Sequence, residues 1–335
     1  MPKHRPKQSP TIYDIAELAG VNPSTVSRAL SRPGRISPKT EKLIQDAART
    51  LNYRVNPMAR ALPTGRTNTL GLILADITNP VFFSLVRGAE HSAAQAGYTL
   101  VLAESQESGE REAEVSDRVV PSVDGMILVA TRQSDEQLRE LSERKPLVVI
   151  NRDVVGVETV VPELEPGIDQ ALAHLAMHEH RALAYVAGPS DSWMSSARWS
   201  ILHERALALG MTIAHFGPNA PTLDGGSDVY ARVAASGASA VLAYNDLLAI
   251  GLLRAAAAHD VSVPAELSVV GFDDIFGADF TTPPLTTIRS PLATMGEFAV
   301  GRVLDLLAPG EGGTAMPAPE IVTELVVRGS TGQAA

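Results

Sequence analysis

The sequence predicts an α/β protein in which an all-α helix-turn-helix head precedes a two-lobed body of two doubly wound parallel sheets. The first 66 residues carry amphipathic helix periods that are separated by glycine and proline. From residue 69 onward, short apolar runs alternate with longer helical stretches, and this alternation occurs in two successive sets. Such alternation is typical of parallel sheets covered by helices, and 335 residues are enough for more than one core.

The composition favours a folded protein, because 45% of the residues are hydrophobic and 20% are charged. No apolar run reaches the roughly 18 residues that span a bilayer. The basic start of the chain is not followed by the apolar segment of a secretory signal. The chain has no cysteine, which excludes disulfides and thiolate metal sites. We therefore expect a cytoplasmic protein with no membrane partner.

The charge is unevenly distributed along the chain. The first 66 residues carry 12 Lys and Arg against four Asp and Glu, a net charge of +8, whereas the whole chain has −10. A basic head on an acidic body predicts that only the head meets a polyanion. A basic solubilising tail is the alternative, but the regular helical signals of the head argue against it.

Three helices are predicted in the head from their end signals. Thr11 opens a capping-box-like sequence, and Gly20 ends the first helix. Asn22 is a good cap and Pro23 a good first residue for a second helix over 23–30, and Ser37 caps a third. Two short helices joined by a turn that contains glycine form a helix-turn-helix.

The second helix presents small hydroxyl side chains and one arginine to solvent. Ser24, Thr25 and Ser27 allow close approach to phosphates and base edges, and Arg28 can reach guanine O6 and N7 as a two-pronged donor. Simple solvated surface residues are the alternative for each position.

Residues 56–62 predict a short hinge helix. Asn56 and Pro57 begin it, helix formers follow up to Leu62, and Pro63 and Gly65 end it. A helix of about six residues is unstable alone in water and needs a partner to fold. A flexible linker is the alternative.

The body divides into predicted strands and helices. Strands are expected at 70–75, 99–103, 125–129, 147–150, 183–187, 240–243, 267–271 and 321–326, with helices at 80–96, 135–144, 167–179, 196–209, 247–259 and 291–307. Ligands in such folds bind beyond the carboxyl ends of the strands, where two lobes can face each other across a cleft.

The segments after the strands carry aromatic, Arg, Asn and Asp residues, which stack on a sugar ring and satisfy its hydroxyls. Phe82 and Phe83, Arg152, Arg198, Asn245 and Asp273 stand in these segments. Each alone could be a helix cap or part of a local salt bridge, and Asn245 in particular could cap the helix that follows it.

Residues 11–30, TIYDIAELAGVNPSTVSRAL, resemble the DNA-binding signature of the lactose/galactose repressor (LacI/GalR) family, and the match continues through residues 35–40 and 51–62. The resemblance implies that Pro23, Ser24 and Arg28 occupy base-reading positions. Pro23 lacks a donor and can read only shape or a thymine methyl. The remaining residues that the match assigns to DNA are Thr11, Thr25, Ser27, Arg35, Ser37, Tyr53, Asn56, Arg60 and Leu62. Of these, Leu62 matches a leucine that wedges into the minor groove.

The body also resembles that family, whose fold is similar to that of periplasmic sugar-binding proteins. Landmarks are the segments 79–83, 244–246, 268–274, 284–288 and 325–330. The resemblance implies crossings between lobes near residues 161, 289 and 319, and effector contacts by Phe82, Phe83, Arg152, Arg198, Asn245 and Asp273. Among these residues, Arg198 and Asp273 are the preferred candidates for effector contact. Where the family has an Asp-Asn pair, this chain has Pro162-Glu163, so the polar contact at the cleft rim is either lost or replaced by Glu163.

Together these features predict a DNA-binding domain at 1–55, a hinge and linker at 56–68, and an effector-binding and dimerisation domain at 69–335. The chain ends soon after Arg328 with no heptad tail, which favours a homodimer over a coiled-coil tetramer. The predicted function is a sequence-specific transcriptional regulator, a repressor of a palindromic operator, controlled by a sugar-like small molecule.

Two other classes of protein fit less well. A sugar-binding transport component would need a signal peptide and would have no use for residues 11–62. An enzyme would need catalytic residues, and the chain has no GxSxG, HExxH, phosphate loop or cysteine nucleophile. His174 and His178 stand four residues apart and could bind metal, but no third ligand is at hand, so a surface pair is expected. We therefore predict no catalytic residue, cofactor or metal.

Overall fold

The computed structural model describes residues 10–31, 34–53, 66–308 and 319–334. The chain forms two compact units, which divide between Asn68 and Thr69. Most of the predicted hinge, with Asn56, Arg60 and Leu62, lies outside the described residues.

The first unit contains three helices, Ile12–Ala19 (α1), Pro23–Ser31 (α2) and Pro38–Thr50 (α3). Their ends follow local chemistry. The amide of Thr11 donates to the Asp14 carboxylate at 2.6 Å, and this bond lowers the pKa of Asp14. Gly20 ends α1 at φ +65°, a left-handed conformation that glycine adopts without strain. Ile15, Val26 and Ile44 are fully buried and form the centre of the small core.

The second unit holds two sheets with helices between the strands. Its strands are Thr69–Leu74 (β1), Thr99–Glu104 (β2), Gly125–Val129 (β3), Leu147–Ile150 (β4), Glu158–Val160 (β5), Ala182–Val186 (β6), Thr212–Phe216 (β7), Ala240–Ala243 (β8), Ser268–Asp273 (β9), Thr286–Arg289 (β10) and Glu324–Val326 (β11). Its helices are Val81–Gln95 (α4), Gly109–Val119 (α5), Asp135–Arg144 (α6), Glu165–Met177 (α7), Trp193–Ala208 (α8), Leu223–Ala234 (α9), Asp246–Ala258 (α10) and Leu292–Leu307 (α11).

Each sheet has the doubly wound order that was predicted. The first lobe has the strand order β2-β1-β3-β4-β5, and the second has β11-β10-β9-β8-β6-β7. All paired strands run parallel except β11, which is antiparallel to β10. The predicted strand at 321–326 is too long, because only its last half joins the sheet.

The chain crosses between the lobes after β5, after β10 and before β11. Helix α11 follows β10 in the chain but packs against α4 and strands β3, β4 and β5 of the first lobe. The segment after β5 pairs with the segment before β11, where the amide of Glu163 donates to Ile321 O at 2.7 Å and Thr323 N donates to Glu163 O at 3.1 Å. These hydrogen bonds hold two crossings side by side.

Two glycines allow α4 and α11 to touch backbone to backbone. A Cβ on Gly88 would lie 2.1 Å from Ala293 O, and one on Gly296 would lie 2.2 Å from Leu85 O. Both contacts are with main-chain atoms, so the helices themselves would have to separate to admit a methyl group.

Gly88→Ala is therefore expected to lower the free energy of unfolding by about 1–3 kcal/mol. Urea denaturation followed by circular dichroism measures this. Gly301→Ala on α11 is the matched control, because a Cβ there meets no described atom within 4 Å. It should be neutral or stabilising, since alanine is the better helix former. If Gly88→Ala and Gly301→Ala had equal urea-denaturation midpoints, the close contact between α4 and α11 would be contradicted.

Candidate nucleic-acid interface and interlobe cleft

Helix α2 separates its core face from its solvent face. Val26 and Ala29 are buried, whereas Ser24, Ser27 and Arg28 are exposed. Pro23 and Thr25, at the start of the helix, are half-buried. The exposed residues recur three and four positions apart, so they share one side of the helix. This places a cation and two hydroxyls on a solvent-exposed surface that could face a polyanion.

The other predicted DNA contacts in the head have local structural roles as well. The Thr11 hydroxyl donates to Asp14 at 2.7 Å, and Ser37 Oγ caps α3 by accepting from Thr40 N at 3.2 Å. Tyr53 is half-buried against the head core, and Arg35 is exposed. Sequence reasoning missed Tyr13, whose side chain is 69% exposed on α1 and lines a groove beside the turn. The only signal for Tyr13 in the sequence is that this aromatic residue lies off the apolar face of the predicted first helix.

Arg198 and Asp273 meet in the second lobe, at the cleft ends of α8 and β9. Arg198 Nη2 donates to Asp273 Oδ1 at 3.0 Å, and Nη1 donates to the Tyr244 carbonyl. The guanidinium carbon lies 3.5 Å from the centroid of the Phe272 ring, close enough for a cation–π contact. Arg198 is 5% exposed and Asp273 is 8% exposed, so the pair is almost sealed from water.

Burial dominates the electrostatics of this pair. It raises the pKa of Asp273 to about 6, although the Arg198 charge and hydrogen bond act to lower it. Asp246 is fully buried beside it, and burial together with the Asp273 charge raises its pKa well above the usual range. Asp246 accepts hydrogen bonds from Ile275 N at 2.8 Å and from Thr287 Oγ1 at 2.6 Å. The base of the cleft is therefore a buried, hydrogen-bonded pair of acids beside Arg198.

Asn245 is a helix cap, which is the alternative that the sequence left open. Its Oδ1 accepts from Leu248 N at 2.9 Å, and its Nδ2 donates to Pro221 O at 3.1 Å. It is 2% exposed and adjoins Tyr244, whose carbonyl binds Arg198. Asn245 is thus brought close to the Arg198 and Asp273 pair, but its side-chain amide already makes two hydrogen bonds within the protein.

The remaining predicted effector residues lie at other places. Phe82 is buried in the first-lobe core, and Phe83 is 50% exposed beside an apolar cavity of about 360 Å³ between α4 and β2. Arg152 donates to Gln133 O and to Asp135 Oδ1, both at 2.6 Å. Glu163 is exposed on a crossing segment. The structure does not bring these four side chains into contact with Arg198.

Arg132, which the sequence did not single out, joins the two lobes. It follows β3, and its side chain is 3% exposed. Its Nη2 donates to Glu107 Oε2 at 2.5 Å, and its Nε lies 3.7 Å from Asp191 Oδ1 on the loop after β6. Burial raises the pKa of Glu107 against the opposing effect of the Arg132 charge. No motif marks this arginine, since its partners are 25 and 59 residues away.

The prediction of a surface histidine pair is wrong for His174, which is only 9% exposed. Its Nε2 is 2.9 Å from Thr331 Oγ1, and the neighbouring His180 has Nδ1 at 2.8 Å from Ser239 Oγ and Nε2 at 3.0 Å from Gly332 O. Both rings therefore hold the C-terminal segment against the second lobe. The residues that the structure describes contain no group of three or more metal-binding side chains.

These histidines predict a loss of stability in acid. Burial lowers the pKa of His174 and His180. The unfolded chain then binds protons more tightly than the folded one, so stability falls as the pH drops below about 6.5 toward the lowered folded values. His180→Gln keeps a donor and an acceptor but does not titrate, so its melting temperature should fall less than that of the wild type between pH 7 and 5.

The acidic cluster acts in the opposite direction, because the folded pKa of Asp273, about 6, lies above its unfolded value. That contribution is common to wild type and variant and cancels in the comparison. His91→Gln, at an exposed position of α4, is the control and should follow the wild type. Parallel melting curves for His180→Gln and wild type at every pH would exclude the histidine effect.

Among the described residues, no helix is long and apolar enough to cross a membrane.

Two family models match the chain. Residues 11–56 match the bacterial regulatory proteins of the lacI family, and residues 172–331 match the periplasmic binding protein-like domain. The HTH-type transcriptional regulator GalS of Salmonella typhimurium is 31% identical over 314 residues, which are 91% of each chain. The ribose operon repressor of Escherichia coli is 30% identical over 312 residues, which are 87% of this chain and 91% of that protein.

Solved structures share the fold. The Lac repressor dimer bound to operator and the anti-inducer ONPF matches with a TM-score of 0.86 at 24% identity, covering 97% of this chain and all of that one. The complex of the transcriptional regulator CelR with cellobiose matches with a TM-score of 0.69 at 28% identity, covering 96% and 99%. A ribose-bound regulator from Enterococcus faecium matches with a TM-score of 0.69 at 26% identity, covering 80% and 100%.

Proposed function

The chain belongs to the LacI family of bacterial regulatory proteins, and we propose that it represses transcription by binding a palindromic operator as a homodimer under the control of a sugar-like effector. The observation that carries this proposal is the joining of a basic helix-turn-helix to a two-lobed ligand-binding fold in one chain. The relatives are named as regulators and repressors, and the chain is a regulator rather than an enzyme. Because its target is DNA, we place it in the cytoplasm.

In this proposal, α2 enters the major groove, and Ser24 and Arg28 read base edges. Arginine makes bidentate hydrogen bonds with guanine, and the exposed position of Arg28 leaves its guanidinium free for them. Thr11, Thr25, Ser27, Arg35, Ser37 and Tyr53 contact phosphates and set the register, with Pro23 in the groove as a residue that reads shape. The segment 56–68 is the hinge, in which Asn56 and Arg60 face DNA and Leu62 enters the minor groove.

We assign effector binding to the cleft of the 69–335 domain, where the Nε atom of Arg198 is buried and lacks a hydrogen-bond partner among the described residues. Arg198 and Asp273 together supply a hydrogen-bond donor and an acceptor that are held side by side. This arrangement suits two adjacent hydroxyls of a sugar. Asn245 supports the same site, and Phe82, Phe83, Arg152 and Glu163 are kept as secondary candidates. An effector acts only through different affinities for the two lobe arrangements, and those arrangements would alter the hinges.

A second copy of this chain is proposed to cover the β2 edge of the first sheet. Val101 and Leu102 on this edge are 42% and 41% exposed, and Ile77 and Phe83 beside it are 51% and 50% exposed. An edge strand that exposes apolar side chains is a template for association.

Selection of bound duplexes from a random DNA library tests the DNA-binding function. We expect enrichment of a two-fold symmetric sequence whose half-sites lie on one face of the duplex. Gel-shift titration of that sequence at rising salt should show the steep loss of affinity that phosphate contacts cause. Enrichment of no common sequence, with equal binding of all duplexes, would overturn the proposal.

A further inference from the structure

Arg132 and Asp191 meet between the lobes at a distance from the segments that join them. Arg132 follows β3, which is two strands from the crossing after β5, or about 10 Å at the usual strand spacing. Asp191 follows β6, which is three strands from the crossing after β10, or about 14 Å. The lobes move about their covalent crossings, so a contact this distant from the crossings is broken when the lobes open.

The first lobe holds the Arg132 guanidinium in a fixed orientation. Its Nη2 donates to Glu107 Oε2 at 2.5 Å, and its Nη1 donates to Ala130 O at 3.1 Å. The main-chain amide of Arg132 donates to Glu112 Oε2 at 3.0 Å, and Glu112 is 2% exposed. The Nε atom has no hydrogen-bond partner among the described residues and faces Asp191 Oδ1 at 3.7 Å. The arginine is therefore aimed at the second lobe by its own lobe.

The second lobe fixes the other partner. Asp191 directly precedes Ser192, which caps α8 by accepting from Ser195 N at 3.2 Å. Ser192 Oγ also lies 3.1 Å from the Tyr244 hydroxyl, and Ser192 is 1% exposed. The main chain at Asp191 is thus anchored by a buried neighbour, although the Asp191 side chain itself is 58% exposed.

Arg132 stands between carboxylates that belong to opposite lobes. Burial acts to lower the pKa of Arg132, but Glu107, Tyr244 and Asp191 together raise it. Burial raises the pKa of Glu107, the Arg132 charge opposes this, and the Asp191 charge adds to it. Without the guanidinium, Glu107 and Asp191 would face each other with like charge. The cation is therefore what makes the approach of the two lobes favourable at this place.

We propose that Glu107, Arg132 and Asp191 form an interlobe clasp, which holds the two lobes closed in the protein without any bound ligand. This inference goes beyond the proposed function, because it concerns the ligand-free chain and requires neither operator nor effector. A ligand that favours the open arrangement must overcome the clasp, whereas one that favours the closed arrangement is assisted by it.

Pulsed electron paramagnetic resonance on the ligand-free full chain measures the separation of the lobes. The chain has no cysteine, so Glu140→Cys on α6 and Ser200→Cys on α8 provide two unique positions for spin labels. Both positions are exposed, and they belong to different lobes. We expect the labelled parent to show one main distance, which matches the closed structure.

Asp191→Asn in the labelled parent should raise the ratio of open to closed molecules by about fivefold, because it removes the charge of the second-lobe partner and preserves its size. The open molecules would appear as a second, longer distance. Asp117→Asn is the matched control. Asp117 is 64% exposed and pairs with Arg144 at 2.9 Å within the first lobe, so its loss should leave the distance unchanged.

The double variant Arg132→Met with Glu107→Gln removes the cation without leaving a buried carboxylate unpaired. It should open the lobes about as much as Asp191→Asn, and its circular dichroism should remain that of the parent. Three outcomes would overturn the clasp: a ligand-free parent that is mainly open, an unchanged distance in Asp191→Asn, or equal opening in Asp117→Asn. Failure of the chain to bind any operator would refute the proposed function and leave these distances unaffected.

Discussion

Arg28→Ala is expected to lower operator affinity by about 1–3 kcal/mol for each half-site and to relax base preference at one position in each. The side chain is exposed in the last turn of α2, on the face opposite Val26. Removing a bidentate base contact leaves phosphate binding in place. Specific affinity should therefore fall far more than affinity for random duplex. Fluorescence anisotropy with the selected operator and single-base variants measures both quantities.

Arg49→Ala is the matched control for this substitution. Arg49 is an exposed arginine near the end of α3 that pairs with Asp46 at 2.7 Å, so its loss removes the same charge without removing a proposed base contact. It should weaken all duplexes slightly and equally. If Arg28→Ala behaves in the same way, with an unchanged ratio of specific to random affinity, then α2 does not read bases through this residue.

Arg198→Ala is expected to destabilise the second unit by about 3–5 kcal/mol, because it leaves a buried carboxylate without its partner. Asp273 is 8% exposed, and its pKa of about 6 already reflects the cost of burial. Effector binding should be lost in the same variant. Thermal unfolding monitored with and without effector separates the two effects.

The double variant Arg198→Met with Asp273→Asn should be more stable than Arg198→Ala, because it removes the buried charge together with its partner. Arg205→Ala on the same helix is the control. Arg205 lies 3.6 Å from Asp169, and both side chains are nearly half exposed, so the cost should be below about 1 kcal/mol. If Arg198→Ala were no less stable than Arg205→Ala, the buried pair would not have the assigned role.

The helical head could be predicted almost to the residue, because its signals are local. Thr11 with Asp14, Gly20 and Ser37 each act within one helical turn. In the structure, α1 begins after Thr11 and ends before Gly20, and α3 begins after Ser37. The buried strands of the body were also found, since continuous apolar runs such as Gly125–Val129 need no partner to be recognised.

Other elements lack such signals. Strand β7 lies at the edge of its sheet and is mostly exposed, so its residues do not form an apolar run. Helix α5 has the sequence GEREAEVSDRV, in which charged residues outnumber apolar ones, and packing on the sheet decides its conformation. For Asn245 the sequence left a cap and a ligand contact open, and the hydrogen bond to Leu248 N establishes the cap.

The sequence by itself determined that an all-α unit precedes an α/β unit. It also determined which faces of the head helices are buried and which residue types stand at the strand ends. Only the tertiary structure decided which of those residues meet. Arg198 reaches Asp273 across 75 residues, and Arg132 reaches Asp191 across 59. Helix caps and periodicity act over a few residues, whereas these pairs depend on strand order and on the approach of two lobes, which no local pattern encodes. The basic head could therefore be predicted from the sequence, whereas the partners of the buried arginines in the cleft could be identified only from the fold.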